Sequence, residues 1–334
     1  MSITFERETQ TASFHSPLKE FELVDVEVEL REDPLTGRQT RIVPEAFVEP
    51  EETPELPDTV TDSEGCFFCP GTVEEATPEY PALVGFDRGS VGEATSFPNL
   101  NPYGDHSNVV VLTEDHYVPI GDLTADILAD GLEAAMEYVQ AVFEAREGPD
   151  IASINMNFLP SAGSSIVHPH LQTLVDDRGT NAQQARFEAA AAYRDDHGAP
   201  YFEDLLAATR ETDRYVGATG GVEWLAPFAP RHHRHVRGIA PETNVPAPDA
   251  TVLEDLADGI ATVLAAYDSQ GLNSFNFGIH LSRDDAVPLH VDVVARSVFQ
   301  EYAWSDATFF ETVHDEAVVD VPPEEYADEV ATQL

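Results

Sequence analysis

The chain has 334 residues, 42% of them hydrophobic, which is enough for one large domain or two halves with a buried core. Seventeen Lys and Arg stand against sixty-two Asp and Glu, and the formal charge of −45 argues against nucleic acid or an anionic membrane surface as a partner, since both are polyanions. The acidity runs along the whole sequence and reads as the salt-adapted surface of a halophile, so an anionic substrate must be met by a local positive site.

Met1 to Glu8 show no basic start followed by an apolar run, and no apolar stretch is long enough to span a bilayer, so a soluble, cytoplasmic protein is expected. Between residues 20 and 44, Phe21, Leu23, Val24, Val26, Val28 and Leu30 predict a strand, Asp33-Pro34-Leu35-Thr36-Gly37 a turn, and Gln39 to Val43 a returning strand. From Pro44 to Glu64 the sequence is proline-rich and acidic and reads as a surface loop. It leads to the two cysteines, Cys66 and Cys69, whose spacing suits a metal knuckle or a redox pair.

Phe97 to Tyr103 and Asn108 to Leu112 read as two strands around Gly104-Asp105-His106. Residues 123 to 145 carry apolar positions at helical spacing behind Thr124 as N-cap, and Ile151 to Phe158 is a strand. Leu159-Pro160-Ser161-Ala162-Gly163 then leads into Ser164 to Val175, read as a strand carrying His168-Pro169-His170-Leu171-Gln172. Period-two alternation would place His168, His170 and Gln172 on one face, where imidazoles can serve as nucleophile, base or metal ligand.

The unit recurs. Trp224 to Pro230 and Val236 to Ala240 parallel the first strand pair, residues 250 to 267 form a second amphipathic helix, and Phe275 to His280 parallels the strand before the histidines. Val287 to Val294 parallels the histidine strand, with His290 opposite His168 and Asp292 opposite His170. Residues 176 to 221 read as a helical or irregular connector. The resulting expectation is two halves, 1–178 with the nucleophile and 179–334 with a degenerate copy.

A Cys-x-x-Cys, an Asp-His after a strand, then Asn, Gly-x-Ser and His-Pro-His-x-Gln, followed by a degenerate second copy, resembles the galactose-1-phosphate uridylyltransferase family of the histidine-triad superfamily. The resemblance implies an α+β fold of two tandem halves, each a bent antiparallel sheet with helices on one side, paired into a homodimer. It implies zinc on Cys66, Cys69, His116 and His168, a ligand set that also suits the metal's preference for a tetrahedron of sulfur and nitrogen. It further implies His170 as nucleophile, Gln172 as a donor to the phosphoryl group, and Asn157, Gly163 and Ser165 around the nucleotide phosphates. Such an enzyme passes a nucleoside monophosphate from a nucleotide sugar to a sugar 1-phosphate through a covalent nucleotidyl-histidine, because imidazole both attacks phosphorus and leaves again near neutral pH. Phosphorolysis or hydrolysis of a nucleotide sugar or dinucleotide, and a zinc-stabilised scaffold without activity, are the competing readings.

The sequence also departs from the family. The phosphate-clamping arginines expected after the Asp33 turn are absent from Val43-Pro44-Glu45-Ala46-Phe47-Val48-Glu49-Pro50, with Arg38 and Arg41 as substitutes just upstream. The second-half His-x-His of iron-containing members is here His290-Val291-Asp292. Arg231-His232-His233-Arg234-His235-Val236-Arg237 reads either as an exposed loop or as a compensating anion site.

Overall fold

The computed structural model describes residues 3–44, 56–145, 150–301 and 305–334. Residues 45–50 of the stretch lacking the arginine clamp therefore lie outside the described residues. Strands are numbered in chain order. β1 (Arg7–Ser16), β2 (Glu22–Glu32) and β3 (Gln39–Ile42) form a small sheet, which β14 (Ala317–Val319) completes from the other end of the chain. The turn between β2 and β3 is closed by Asp33, whose carboxylate accepts from the Thr36 amide at 2.8 Å, while Gly37 takes the left-handed conformation at φ +72°.

The other ten strands make one sheet. They are β4 (Gly89–Val91), β5 (Ala94–Pro98), β6 (His106–Val111), β7 (Ile151–Phe158), β8 (His170–Asp176), β9 (Tyr215–Thr219), β10 (Val222–Leu225), β11 (Val236–Ala240), β12 (Phe275–Ser282) and β13 (Leu289–Ala295). Across the sheet they run β4-β5-β6-β8-β7-β12-β13-β11-β10-β9, so the same five-strand pattern is read from either edge. β7 and β12 pair antiparallel at the centre, with Asn157 opposite Asn276 and Asn155 opposite Gly278. The sequence repeat thus appears as two half-sheets fused through their innermost strands.

Alternation along the central strands sorts their two faces. Leu171 and Val175 of β8 and Leu289, Val291 and Val293 of β13 enter one large core with the helices Ala125–Ala145 and Thr251–Ser269, which pack against each other. Thr124 caps the first helix by accepting from the Ile127 amide at 3.4 Å. Trp224 fits only because Gly259 has no side chain, since a Cβ there would sit 2.0 Å from the indole. The opposite face carries His170, Gln172, Asn155 and Asn157 in the first half and His290 and Asp292 in the second. There the two halves diverge: the connector helices Asn181–His197 and Tyr201–Thr209 cover the second half, burying Ala190, Tyr201, Phe202, Leu205 and Leu206 with Leu225 and Ile239. Over the first half lies the cysteine segment, where Phe68 packs with Phe97, Val109 and Val111.

Several expected boundaries shift. The histidine strand begins at His170; Ser164 to Pro169 is irregular because proline brings no N–H, although its carbonyl still accepts from the Leu112 amide at 3.0 Å. β5 stops at Pro98, so Asn99 to Tyr103 is loop, and β10 stops at Leu225, ahead of Pro227 and Pro230. The connector contains a strand, β9, at the sheet edge. β1 went unread because nine of its ten residues are exposed and it has no apolar alternation.

Candidate active site and metal centre

Cys66 and Cys69 flank Phe67 and Phe68, and their sulfurs meet two imidazoles from distant parts of the chain. Cys69 Sγ lies 3.5 Å from His116 Nδ1 and 3.7 Å from His168 Nδ1, and Cys66 Sγ lies 3.7 Å from His168 Nδ1. All four donor atoms fall within 4.8 Å of one another. A zinc tetrahedron with bonds of about 2.3 Å to sulfur and about 2.0 Å to nitrogen puts neighbouring S and N ligands roughly 3.5 Å apart, so the spacing fits. His168 is fully buried and its Nε2 donates to the Thr113 carbonyl at 2.8 Å, which turns Nδ1 toward the sulfurs. Burial also lowers the His168 pKa and so favours the neutral, ligating form. In the absence of a cation, burial and the neighbouring Cys66 sulfur push the Cys69 thiol up to about 11. The four donors could hold a metal ion, and a cation there would favour the thiolate form of both cysteines.

Two residues on, β8 starts at His170. Its Nδ1 donates to the His168 carbonyl at 2.8 Å, which leaves Nε2 as the ring's lone-pair nitrogen. Burial holds the imidazole below its ordinary pKa, against the pull of that hydrogen bond, so the ring is neutral near pH 7. His170, Gln172, Ser165 and Ile166 line a pocket of about 290 Å³ with Phe67, Phe68, Phe97, Asn99, Leu100 and Tyr103. The Phe68 ring stands edge-on to His170 at 5.3 Å and to His168 at 6.2 Å, so one side chain of the cysteine segment touches both imidazoles.

The remaining expected site residues sit beside this pocket. Gln172 lies opposite Asn155, whose amide donates to the Gln172 carbonyl at 3.2 Å, and by the same register Asn157 lies next to His170. Gly163 takes φ +90° at the end of the turn before Ser165, with open space where a side chain would be.

Sequence reasoning passed over the residue that holds Asn157. Asn276 of β12 donates to Asn157 Oδ1 at 2.7 Å and to the Ala162 carbonyl at 2.9 Å, and accepts from Arg296 Nη1 at 2.6 Å. Arg296 is in turn paired with Asp306, Nη2 to Oδ1 at 2.6 Å. The second half thereby fixes Asn157 so that its own amide N–H groups remain for a ligand. The signal in the sequence is the asparagine of Phe275-Asn276-Phe277, the counterpart of Asn155 in the repeat.

The histidine and arginine run at 231–237 is neither an exposed loop nor, as a whole, an anion site. His233 and Arg234 both meet Asp320 at 2.9 Å, and His235 and Arg237 meet Asp292 at 2.9 and 2.6 Å. These four residues are buried, and the two guanidinium charges are spent on internal carboxylates. The suggested substitutes for the arginine clamp are engaged too: Arg38 donates to the carbonyls of Ala229 and Pro230, and Arg41 pairs with Glu316. No described helix is long and apolar enough to cross a membrane.

No family model matches the chain. An uncharacterized protein of Archaeoglobus fulgidus is 33% identical over 306 residues, 91% of each chain. Among solved structures, an ADP-glucose phosphorylase from Arabidopsis thaliana with bound ADP-glucose matches with a TM-score of 0.71 at 18% identity, over 91% of this chain and 98% of that one. A uridylyltransferase matches with a TM-score of 0.65 at 21% identity, over 91% and 98% of the two chains. At such identities the structural likeness speaks for the fold. The chain therefore belongs to one family with the Archaeoglobus fulgidus protein, and its fold is the tandem-half α+β fold of the uridylyltransferase and the ADP-glucose phosphorylase.

Proposed function

We propose that this chain is a nucleotidyltransferase acting on a nucleotide sugar, with His170 as the covalent relay. The observation that carries the reading is the His170 ring itself: Nδ1 is tied to the His168 carbonyl at 2.8 Å, and the ring lines a pocket shared with Gln172 and Ser165. Nε2 attacks the α-phosphorus of the bound nucleotide sugar; the bond to the bridging oxygen breaks, and the sugar leaves as its 1-phosphate. An acceptor phosphate then attacks the nucleotidyl-histidine, and Nε2 departs with its lone pair. Gln172 donates to a phosphoryl oxygen while charge gathers on it, and as a neutral group it does not quench the nucleophile. Asn157, Ser165 and the backbone at Gly163 hold the phosphates.

Zinc on Cys66, Cys69, His116 and His168 is part of this proposal. Bound there, it fixes the segment from which His170 projects and supplies no chemistry at phosphorus. A homodimer in the cytoplasm completes the reading.

The acceptor is a sugar 1-phosphate in the leading version and inorganic phosphate in the second. The second is favoured by the likeness to a structure named as an ADP-glucose phosphorylase. Incubating the protein with ADP- and UDP-sugars, each with galactose 1-phosphate or with phosphate, separates them. Transfer gives a new nucleotide sugar with ping-pong kinetics, whereas phosphorolysis releases ADP or UDP only when phosphate is added. Absence of turnover with every donor and acceptor would leave the inactive scaffold as the correct reading.

A further inference from the structure

The second half repeats the polar face of the first, and at the counterpart of the nucleophile it gathers His280, His290 and Asp292, whose donor atoms lie within 4.8 Å of one another. His290 is even oriented as His170 is: its Nδ1 donates to the Pro288 carbonyl at 2.8 Å, leaving Nε2 as the acceptor. By composition and spacing this is a plausible divalent-metal site, and the iron-containing members of the family that the sequence resembles suggest one here.

The space between the donors is taken by a side chain. Arg186, from the connector helix Asn181–His197, places Nη2 2.9 Å from Asp292 Oδ2 and donates through Nη1 to His290 Nε2. The other carboxylate oxygen of Asp292 receives Arg237 Nε at 2.6 Å and His235 Nε2 at 2.9 Å. His280 Nε2 stands 3.6 Å from Asp292. Two guanidinium groups already face the Asp292 carboxylate in a buried cluster, and Asp33, the other anion acting on Arg237, is matched by that guanidinium, so a divalent ion would add two charges that these carboxylates do not offset. It would also have to displace hydrogen bonds on two of its three ligands.

We propose that Arg186 is the resident cation of a pocket with the layout of a metal site, so that this half carries no metal ion and is held together by a guanidinium instead. Arginine suits the position because its planar fork reaches a carboxylate and an imidazole at once and keeps its charge when buried. The connector helix thereby closes over β13 without any requirement for metal, while the first half relies on its cysteine centre.

The test is a count of cobalt per chain after removal of native metal and dialysis against Co²⁺, read together with the visible spectrum. In the wild type the expected result is no cobalt beyond that giving thiolate charge-transfer absorption at the cysteine centre. Arg186→Glu exchanges the guanidinium for a fourth oxygen or nitrogen ligand group and should add one cobalt per chain, with d–d bands but no further thiolate absorption. Arg186→Gln, which keeps the size and removes the charge, serves if Arg186→Glu does not fold, and should bind cobalt at least tenfold more tightly at this site than the wild type. A second, non-thiolate cobalt in the wild type would overturn the proposal, as would a folded Arg186→Glu or Arg186→Gln chain with no gain in cobalt. An empty cysteine centre would contradict the zinc reading alone, because the two sites differ in spectrum.

Discussion

Asn276→Ala examines how far the first-half site depends on the second half. The change removes an acceptor from Arg296 Nη1 (2.6 Å) and a donor from both Asn157 Oδ1 (2.7 Å) and the Ala162 carbonyl (2.9 Å). At about 1 kcal/mol for each net hydrogen bond, and more for the charged one, the expected loss of stability is about 3 kcal/mol. Arg296 keeps its pairing with Asp306, which limits the loss. Freed of its anchor, Asn157 should turn away from the nucleotide phosphates. Turnover should then fall by about 10- to 100-fold, the scale of a catalytic donor displaced by about 1 Å, while the covalent adduct still forms. Asn276→Asp separates the two roles: a carboxylate continues to accept from Arg296 but cannot donate to Asn157 or Ala162, so stability should recover further than turnover. Thermal unfolding and steady-state kinetics on the three proteins decide it. Wild-type turnover in a folded Asn276→Asp protein would refute the reasoning, because Asn157 would then need no donor from β12.

Three more outcomes are expected. Cys66→Ser with Cys69→Ser should remove the proposed zinc and lower amide protection from Cys66 to Val73 and near Thr113, because an ion on these ligands would tie the segments together; full zinc content by elemental analysis would contradict the ligand set. Phe68→Ala should cost about 3 kcal/mol of stability and weaken nucleotide binding by roughly tenfold with zinc retained, since the 8%-exposed ring walls the pocket beside His170 and packs on Phe97 at 5.6 Å; unchanged affinity by calorimetry would place the nucleotide elsewhere. Burial lowers the His235 pKa to about 4 in the fold, so on acidification the unfolded chain, with a value of about 6.5, takes up the proton first. The stability due to neutral His235 is fully present above pH 6.5 and falls by up to about 3 kcal/mol as pH drops to about 4, and His235→Asn should flatten denaturant midpoints across that window.

Where a residue pattern has one physical solution, the sequence was legible. The apolar faces of Ala125–Ala145 and Thr251–Ser269 and the strands β7, β12 and β13 follow from periodicity alone. The repeat extends to the strand order of the ten-stranded sheet. Cys66, Cys69, His116 and His168 converge because His116 follows β6 and His168 precedes β8, neighbours in the sheet, while Phe68 packs the cysteine segment against β5 and β6. The illegible parts depend on what covers a face. Asp292 and His170 lie on the same face of the sheet in the two halves, yet one is sealed beneath Arg186 and the other opens into a pocket, and the difference comes from a connector of weak periodicity. The cationic run at 231–237 looked surplus because its partners Asp292 and Asp320 lie far along the chain. β1 is a mostly exposed, mostly polar strand whose Ala12 and Phe14 are too few to make an apolar pattern.

The central claim is a covalent bond to one imidazole. Wild-type protein mixed with its nucleotide-sugar donor, kept free of acid and digested, should show one added nucleoside monophosphate on the peptide that contains His170. His170→Gly should abolish the adduct and turnover while zinc content and thermal unfolding stay as in the wild type, since Nδ1 of His168 serves the metal and cannot take over. Turnover without any such mass, or an active His170→Gly protein, would contradict the relay and require direct in-line transfer to the acceptor.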